Sequence, residues 1–562
     1  MLPSGEEPLL AGGAALLGGP PGRRALLGER RFWSPLRWVV LLTLLTCGLG
    51  FWQKAPCRVH EWSQEYQYTR ACYTDVLALY YSEGLDDGQR PYLDHPVEYP
   101  VVMGGAMALA AAFADDLAGL LPGGRVTAAE QALEQARAAG PAGTEGEQAA
   151  AAELSGAQDN ARAHSFFDLT WVLLSAAAVV VVVTTARLAG RRRVWDAAMV
   201  AVAPGLLLHL ATNWDLIATG LAGLGLLAWA RRRPVLAGVL LGAATATKLY
   251  PLVFLVPLLA LCWRAGRLRE GLRTALALVV TAAAITVPVY LVSPSFAEID
   301  GVQVQVAASP LDRLGAQGLA ALSPHTSATA PETGGPVVGV NGVYRFVQLN
   351  TERPADWDSL HYALSQTRDA VGGPAGAVYG GLADLVLGPP GAAAEDRLNT
   401  SVALGTLLAL GLVVLLALRA PRRPRLPQLL FLTVVGFLLA NKVWSPQYVL
   451  WLLPLAALAR PRWRPFLAWQ AAEAALLFAR FYFFVSMPYG EGDQSSEGLD
   501  VTWFLSAVVL RDVALLLLAA AVVRDVLRPG VDVVRADGSD DPAGGLLDGA
   551  ADARPERAPV PA

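Results

Sequence analysis

Apolar runs as long as a membrane is thick recur along the chain, and they alternate with clusters of arginine. A transmembrane helix needs about 20 predominantly apolar residues to cross roughly 30 Å of hydrocarbon. Of the 562 residues, 54% are apolar and 16% are charged, whereas soluble proteins carry about 25% charged residues. The first run, near 38–51, lacks a small-residue cleavage site, which indicates a retained helix rather than a signal peptide. The sequence therefore predicts an all-α polytopic membrane protein.

The arginine clusters predict which loops stay in the cytoplasm, because Lys and Arg near helix ends resist translocation. Between adjacent clusters lies enough apolar sequence for the chain to cross the membrane and return. We therefore expect a multi-pass protein of the cell (plasma) membrane with both termini in the cytoplasm. The predicted spans, about twelve in number, lie near 38–53, 166–189, 195–212, 214–230, 235–249, 251–263, 274–293, 401–419, 427–441, 447–459, 465–487 and 501–523.

One apolar run does not fit this alternation. The stretch from Val101 to Leu121 contains Asp115 and Asp116, and a span there would place the next arginine cluster outside. We therefore predict an interfacial helix on the outer surface, followed by an external insertion at 125–162. The predicted domains are a cytoplasmic segment 1–37, a transmembrane domain 38–525 with external loops at 54–165 and 294–399, and a disordered acidic tail at 526–562.

Four conspicuous polar stretches fall at the extracytoplasmic ends of the predicted spans. They are "CYTDVLALYYSEGLDDGQRPYLDHPVEYP" from position 72, "NWD" from 213, "TKLYP" from 247 and "NKVWSPQY" from 441. Ionisable groups at membrane depth are costly and mark functional sites by default. Because these stretches lie on the same predicted side, with the long external loop, the sequence predicts a single active site there.

Two carboxylates of the first external loop are candidates for this site. Asp75 follows the first span, where it could remove a proton from an attacking hydroxyl as a general base. The alternative is that it caps the loop or forms an ion pair. Glu98 precedes "YP" and could bind a sugar hydroxyl or anchor the loop.

Lysine is rare enough in this chain for its positions to be informative. Only three of the 44 basic residues are Lys, and Lys248 and Lys442 lie at outer helix ends, against the positive-inside bias. A lysine ammonium is a compact point charge suited to phosphate. Either lysine could instead snorkel to the interface or pair with an acid such as Asp215. Three residues near these lysines could contact a sugar or a lipid, namely Tyr250, Gln447 and Tyr448. Alternatively, the two tyrosines could anchor the protein at the membrane interface.

The cysteines and histidines offer no spacing typical of a zinc site. Cys57 and Cys72 both lie in the first external loop, so an oxidising exterior would favour a disulfide between them. Cys47 and Cys262 lie in predicted spans as buried thiols. No feature indicates a nucleic-acid partner.

Taken together, the polar stretches resemble a known family. The Asp75 loop, "GQRPYLDHPVEYP", "NWD", "AGVLLGAATATKLYP" and "NKVWSPQY" look like the actinobacterial members of glycosyltransferase family 87. These are mannosyltransferases of the GT-C fold that use polyprenyl-phosphate mannose. The pattern is also similar to the catalytic subunit of the first mannosyltransferase of glycosylphosphatidylinositol synthesis. The resemblance spans about residues 38–525 and is specific as a combination of motifs.

The resemblance implies a GT-C fold whose extracytoplasmic loops carry the active site. It implies inverting transfer of a hexose, mannose by this likeness, from a polyprenyl-phosphate donor, with Asp75 as the base. Some relatives have a paired D-x-D, but Leu77 stands at the second position here, so no metal site and no cofactor are predicted and metal dependence stays open. The expected contacts are Lys248 and Lys442 to the donor phosphate and Glu98, Tyr99, Asn213, Asp215, Tyr250, Gln447 and Tyr448 to sugar or donor.

Two other interpretations remain open from the sequence. The donor could carry arabinofuranose or another sugar, and the acceptor could be a lipid, a glycan or a protein. A transporter or flippase of lipid-linked sugars is a different class, in which ionisable residues typically lie at mid-span and internal repeats are common. Here the ionisable residues lie at outer helix ends, which favours the enzyme.

Overall fold

A computed structural model describes residues 34–552, apart from 61, 63, 121–122, 140–142, 331–333, 369–379, 382, 388–393, 488–497 and 537. Most of the predicted cytoplasmic segment 1–37 lies outside the described residues. Helices dominate the described part of the chain. In the first half the structure gives α1 Pro35–Val59, α2 Gln64–Thr69, α3 Asp75–Ser82, α4 Val101–Leu120, α5 Gly124–Ala139, α6 Glu145–Leu188, α7 Ala198–Ala201, α8 Pro204–His209, α9 Asp215–Ala230, α10 Pro234–Thr247, α11 Leu255–Arg264 and α12 Leu268–Val292.

The long loop after α12 adds a small antiparallel sheet to the otherwise helical fold. Its strand order is β2-β1-β4-β3, and the alternating "VQVQVA" of β2 is the period-2 pattern typical of a half-buried strand. The predicted all-α architecture therefore holds for the membrane domain but not for this loop. The elements are β1 Ser295–Ile299, β2 Val302–Ala307, α13 Pro310–Gln317, β3 His325–Thr329, β4 Pro336–Asn341, α14 Arg345–Glu352 and α15 Leu360–Thr367.

The second half returns to long apolar helices. Short 3-10 turns precede α11 at Tyr250–Phe254 and α18 at Pro446–Tyr448, so two of the polar stretches sit where a helix is interrupted. The helices are α16 Ala394–Arg419, α17 Leu426–Ala440, α18 Val449–Ala459, α19 Trp463–Val485, α20 Val501–Leu527 and α21 Val533–Ala536.

Six of the described helices are long and apolar enough to cross a membrane, namely α1, α4, α6, α12, α16 and α20. Five of them coincide with predicted spans, and most of the remaining predicted spans coincide with shorter apolar helices or with α19. The predicted span at 195–212 is instead divided into a 3-10 turn at Val194–Ala197 and the short helices α7 and α8. The sixth, α4, is the stretch predicted to lie on the outer surface. Its length and composition would allow a span, so the number of crossings stays a prediction.

Close packing fixes the helix that leads into the "TKLYP" stretch. A Cβ on Gly238 would lie 2.3 Å from the carbonyl oxygen of Thr274, and one on Gly242 would lie 2.5 Å from that of Leu278. Small residues four positions apart let two membrane helices approach closely. This contact between α10 and α12 sets the position of Lys248, which follows the last residue of α10.

The acidic end of the chain is folded against the arginine clusters, which differs from the predicted disordered tail. Asp532 pairs with Arg425 at 2.7 Å, and both side chains are 2% exposed. Asp552 pairs with Arg264 at 2.7 Å, and the indole N–H of Trp229 donates to the carbonyl oxygen of Gly544 at 2.7 Å. The tail prediction is therefore wrong for the described residues up to 552, because upstream arginines compensate the acidic charges. Residues 553–562 lie outside the described residues.

Candidate active site

A cavity of about 540 Å³ opens where the polar stretches meet, and we call it the main cavity. The first external loop, the end of α10, the loop before α18 and the segment after α14 all contribute to its wall. Residues predicted for the site that line it are Asp75, Glu98, Tyr99, Lys248, Tyr250, Lys442, Gln447 and Tyr448. The fold thus brings together residues that are up to 373 positions apart in the chain, counting from 75 to 448.

The backbone around Asp75 is fixed by a helix start and a neighbouring turn. Asp75 is the first residue of α3, and the Thr74 hydroxyl caps that helix by accepting from the N–H of Val76 at 3.1 Å. The Asp75 N–H donates to the carbonyl oxygen of Thr212 at 2.8 Å. A capped helix start of this kind holds the side chain in a defined direction.

The Asp75 carboxylate receives hydrogen bonds from three directions. The side-chain amides of Asn213 and Gln447 donate to Oδ2 at 2.9 Å and 3.3 Å. The Tyr73 hydroxyl is a third partner. Burial raises the pKa of Asp75 above its usual range, while the bonds from Asn213 and Tyr73 act against that rise. A carboxylate with a raised pKa, accessible from a cavity, has the properties of a general base.

Lys248 lies at the C-terminal end of α10, and its ammonium group faces two aromatic rings. Its Nζ lies 4.9 Å from the ring centroid of Tyr99 and 5.3 Å from that of Tyr448. It also lies 3.4 Å from Oδ1 of Asp215, whose side chain is fully buried. The sequence left open whether Lys248 faces phosphate or pairs with Asp215. The structure has the ion pair and also places the lysine on the cavity wall.

Tyr448, one of the two rings that Lys248 faces, belongs to a stack of aromatic rings. The rings of Tyr250 and Trp451 are stacked with centroids 4.3 Å apart, and those of Tyr448 and Trp451 with centroids 4.0 Å apart. The Trp451 indole N–H donates to Oδ1 of Asp215 at 2.8 Å. The tyrosines therefore shape the wall and support the charge pair.

Lys442 and Glu98 lie on the wall with protein partners. The Lys442 ammonium donates to the carbonyl oxygen of Thr351 at 3.0 Å. Glu98 forms an ion pair with Arg353 at 3.4 Å, in which both side chains are partly exposed. These contacts link the first external loop and the "NKVW" stretch to the last turn of α14 and to Arg353, which follows it.

Two residues expected to contact sugar or donor are placed behind the wall instead. Asn213 is fully buried and donates to Asp75 and, at 2.8 Å, to the Tyr99 hydroxyl. Asp215 is fully buried and contacts Lys248 and Trp451. The "NWD" motif thus holds the wall residues rather than lining the main cavity.

The polar wall residues that sequence reasoning missed include Tyr73, Arg353 and Asp356. Tyr73 lies two positions before Asp75 in the chain and could have been noticed for that reason. Arg353 and Asp356 belong to "ERPAD" in the long loop, where one arginine between two carboxylates gave no spacing signal. Only the docking of that loop brings them to the site.

The wall of the main cavity also includes apolar side chains. Among them are Leu249, which follows α10 by two positions, Val402 of α16 and Phe437 of α17. On the outside of α16, four leucines are each more than half exposed, namely Leu404, Leu407, Leu408 and Leu412. Apolar side chains facing outward on a spanning helix are typical of contact with lipid.

The first external loop is closed by a disulfide between Cys57 and Cys72, with Cα atoms 5.9 Å apart. The bond joins the end of α1 to the segment that leads into Tyr73 and Asp75. Lys54 supports the same segment by donating to the Tyr73 carbonyl oxygen at 2.7 Å. Among the described residues, no group of three or more His, Cys, Asp or Glu is arranged to hold a metal ion.

Comparison with protein families gives a match within the membrane domain. Residues 165–303 match the model of glycosyltransferase family 87. This part of the chain is therefore similar to that family. None of the curated proteins compared with the chain matches it.

The match covers 139 of the 562 residues, counted from 165 to 303 inclusive. It contains the "NWD" motif and Lys248, whereas Asp75 and Lys442 lie outside it. Together with the apolar helices, the match supports a membrane glycosyltransferase, a class of enzyme that uses a sugar donor and an acceptor.

Proposed function

We propose that this enzyme transfers a hexose, mannose by its resemblance, from a polyprenyl-phosphate donor to an acceptor, with inversion at the anomeric carbon and Asp75 as general base. The observation that carries the proposal is that the Asp75 carboxylate and the Lys248 ammonium line one cavity whose wall also includes apolar side chains. A donor with a sugar, a phosphate and a prenyl chain needs these three environments in one place.

The chemical step follows from the two charged groups. The acceptor oxygen attacks the anomeric carbon while its proton passes to the Asp75 carboxylate. The bond between the anomeric carbon and the phosphate oxygen breaks, and its electron pair stays on that oxygen. The phosphodiester of the donor becomes a phosphomonoester, so the leaving group gains one negative charge. A cation beside that oxygen stabilises the transition state more than the bound donor.

Lys248 is the cation that we assign to this charge. Its pairing with Asp215 does not prevent the role, since an ammonium has three donors and the ion pair can hold it in place. Arg353 is a second candidate because its guanidinium lies on the wall and is 38% exposed. Lys442 already donates to the Thr351 carbonyl oxygen and would contribute through its charge.

We assign the prenyl chain to the apolar lining residues Val402 and Phe437. From there it would run along the exposed leucines of α16 into the bilayer. Glu98, Tyr99 and Gln447 also line the cavity and are available for sugar hydroxyls. Asn213 and Asp215 act as positioning residues, through Asp75 and Lys248 respectively.

The orientation of the site in the membrane is part of the proposal. We expect the main cavity to face the extracytoplasmic side, with both termini in the cytoplasm. Reporter fusions after Arg193 and after Gly301 should then report opposite sides. The same side for both would overturn this topology.

The test of the proposed activity uses the full chain in lipid nanodiscs with polyprenyl phosphate carrying radiolabelled mannose. Wild type should cleave this donor in the presence of membrane extract as a source of acceptors, and label should move to a new product. Asp75→Asn should lower turnover by about 10²–10⁴-fold, the usual loss for a general base. Donor binding should change little, because the carboxylate faces the acceptor hydroxyl.

The matched control is Asp94→Asn, which removes a carboxylate from the same external loop outside the main cavity, where Asp94 pairs with Arg90. It should retain wild-type turnover. Full turnover in Asp75→Asn would remove Asp75 as the base. If the protein cleaves polyprenyl-phosphate arabinose but not the mannose donor, the donor sugar is arabinose and not mannose. If intact donor crosses the membrane without cleavage, the protein is a transporter and not a transferase.

A further inference from the structure

A short segment of the long external loop exposes four leucines to its surroundings. Residues 308–322, which we call the leucine segment, comprise α13 and the 3-10 turn Gly318–Leu322 that follows it. Contact between water and several neighbouring apolar side chains is unfavourable, and such a patch on a protein surface marks an interaction site. The four side chains are exposed by 52%, 39%, 82% and 40%, in the order Leu311, Leu314, Leu319 and Leu322.

The charged side chains of the leucine segment bind groups of the same segment. Ser309 caps α13 and also donates its hydroxyl proton to the carboxylate of Asp312 at 2.7 Å. The Arg313 guanidinium donates to the carbonyl oxygens of Ala308 and Ala321, at 3.0 Å and 3.2 Å. The segment therefore has polar groups that are largely satisfied internally, beside leucines that are not covered.

The two leucines of α13 lie on one face of that helix. Leu311 and Leu314 are three positions apart, which places them on the same side, whereas Arg313 and Gln317, four positions apart, share another side. An apolar face beside a charged face is the pattern of a helix that lies in the plane of a membrane surface. The pattern thus predicts a lipid boundary rather than bulk water around α13.

The leucine segment is attached to the end of a spanning helix. α13 packs against α12, and the Tyr290 hydroxyl, in the last turn of α12, donates to the carbonyl oxygen of Leu322 at 2.8 Å. α12 has 25 residues, about 37 Å at 1.5 Å per residue, whereas the hydrocarbon is roughly 30 Å thick. The last turn of α12 therefore reaches the membrane surface, where tyrosine is typical. The leucine segment lies beside that turn.

The surface of α12 continues the apolar surface of the segment. Val287 and Val292, near the same end of α12, are 48% and 46% exposed. Only 6% of the most apolar stretch of this helix is buried inside the protein. Such a helix presents its side chains to lipid, so the leucines adjoin a surface that lipid already covers.

The composition of the leucine segment favours lipid over a protein partner. The centres of protein interfaces are enriched in tyrosine, tryptophan and arginine. The stretch 308–322 contains no aromatic residue, and its one arginine, Arg313, already binds two carbonyl oxygens. Leucines without aromatic or free cationic neighbours suit acyl chains.

We propose that the leucine segment inserts into the surface of the bilayer, with its leucines among the acyl chains and its charged side chains at the level of the headgroups. Helices of this kind bury their apolar face by about 5–10 Å. The partner is the leaflet that the carboxyl end of α12 reaches, and the inference does not depend on the proposed transfer.

This insertion would hold the whole external loop at the membrane surface. The side-chain amide of Asn341, at the end of β4, donates to the carbonyl oxygens of Tyr290 and Ser293 at 3.1 Å and 2.8 Å. The sheet is therefore attached to the same end of α12 as the leucine segment. α14 follows β4 and leads to Arg353 on the wall of the main cavity, so the bilayer would set the height of this wall.

The test measures, by electron paramagnetic resonance, which reagent reaches a nitroxide label on the full chain in lipid nanodiscs. Labels are attached to Leu314→Cys and Leu319→Cys. Molecular oxygen concentrates among acyl chains, whereas a charge-neutral nickel chelate stays in water. The matched control is Gln305→Cys, an exposed polar position of β2 in the same loop. The ratio of oxygen to nickel accessibility should be higher at 314 and 319 than at 305 by roughly threefold or more, as expected for insertion.

The native cysteines leave the introduced thiol as the one to be labelled. Cys57 and Cys72 form the disulfide, and Cys47 and Cys262 are buried. Wild type treated with the label measures any background, and thermal unfolding of each labelled variant confirms that it is folded.

Two results would overturn the proposal. A ratio at 314 and 319 equal to that at 305 would mean that water surrounds the leucine segment. Exclusion of both reagents from 314 and 319 would mean that protein covers it, either a second copy of the chain or another partner. Preferential access of oxygen at both positions supports insertion, whether or not the protein transfers a sugar.

Discussion

The side-chain amide of Asn213 donates to the carboxylate of Asp75 across 2.9 Å, although 138 positions separate the two residues. The same amide donates to the Tyr99 hydroxyl at 2.8 Å. Asn213 therefore joins the start of α9 to two wall residues of the first external loop. This bond favours the charged form of Asp75, which is the form that a general base needs.

Replacing that amide by a carboxylate tests the bond with almost no change in shape. In Asn213→Asp a second carboxyl group would stand about 3 Å from Asp75, and like charges so close cannot both ionise near neutral pH. We expect the acid limb of the turnover profile to move to higher pH and turnover at neutral pH to fall at least tenfold. Asn399→Asp, on the same cavity wall but bonded to the Thr351 carbonyl oxygen, should leave the acid limb where it is. An unchanged acid limb in Asn213→Asp would contradict the role of Asp75 as base.

The pH dependence of the wild type follows from the raised pKa of Asp75. A base works only when it is deprotonated, so kcat/KM should fall as pH drops through that pKa, above the value of about 3.9 usual for Asp. The Tyr73 hydroxyl lowers this pKa by bonding the carboxylate. Tyr73→Phe removes the bond, so the acid limb should shift to higher pH. Tyr66→Phe serves as the control, and a shift to lower pH in Tyr73→Phe would contradict the assignment.

Variants of the ion pair between Lys248 and Asp215 distinguish a loss of stability from a loss of donor binding. Lys248→Ala leaves the buried Asp215 carboxylate unpaired, and breaking a buried pair costs about 3–5 kcal/mol. The double variant Lys248→Met with Asp215→Asn removes both charges and should recover most of the thermal stability. Both variants should bind the lipid donor more weakly by about 1.5–3 kcal/mol, as expected for loss of a hydrogen bond to a charged group. Donor binding like that of wild type in the double variant would make the lysine purely structural.

The end of the chain should contribute measurably to stability. Asp532→Ala leaves the Arg425 guanidinium buried without its carboxylate, so we expect a loss of about 3–5 kcal/mol in the free energy of unfolding. The exposed pair of Arg90 and Asp94 provides the comparison, since Asp94→Ala should cost less than about 1 kcal/mol. Denaturant titration of both variants measures the difference. Equal losses would show that the folded tail adds nothing.

The helices and the location of the site could be predicted because both depend on local features of the sequence. Apolar length and arginine position determine where helices begin and end, and the polar stretches fall at those ends. The sequence therefore predicts one site that includes Asp75, Lys248 and Gln447, and in the structure all three line the main cavity. Their chemical roles remain proposals.

What could not be predicted depends on contacts between distant parts of the chain. The position of a residue at the end of a helix does not show whether its side chain lines a cavity. The sequence therefore predicts ligand contacts for Asn213 and Asp215, whereas in the structure both lie behind the wall. The position of Arg353 depends on how the long loop docks. The acidic tail has the composition of a disordered segment, and only the upstream arginines that it meets show otherwise.

The contact between Asp552 and Arg264 spans 288 positions of sequence, which has a consequence for biosynthesis. Arg264 leaves the ribosome long before residue 552 has been made, and so does Arg423, whose N–H also donates to Asp552. Until then the Arg264 guanidinium and the Arg423 backbone N–H lack that carboxylate, and these last contacts form only after all the apolar helices have been synthesised. A chain that stops before residue 532 would keep every apolar helix for membrane insertion and still expose unpaired arginines, a difference that protein quality control in the cell could detect.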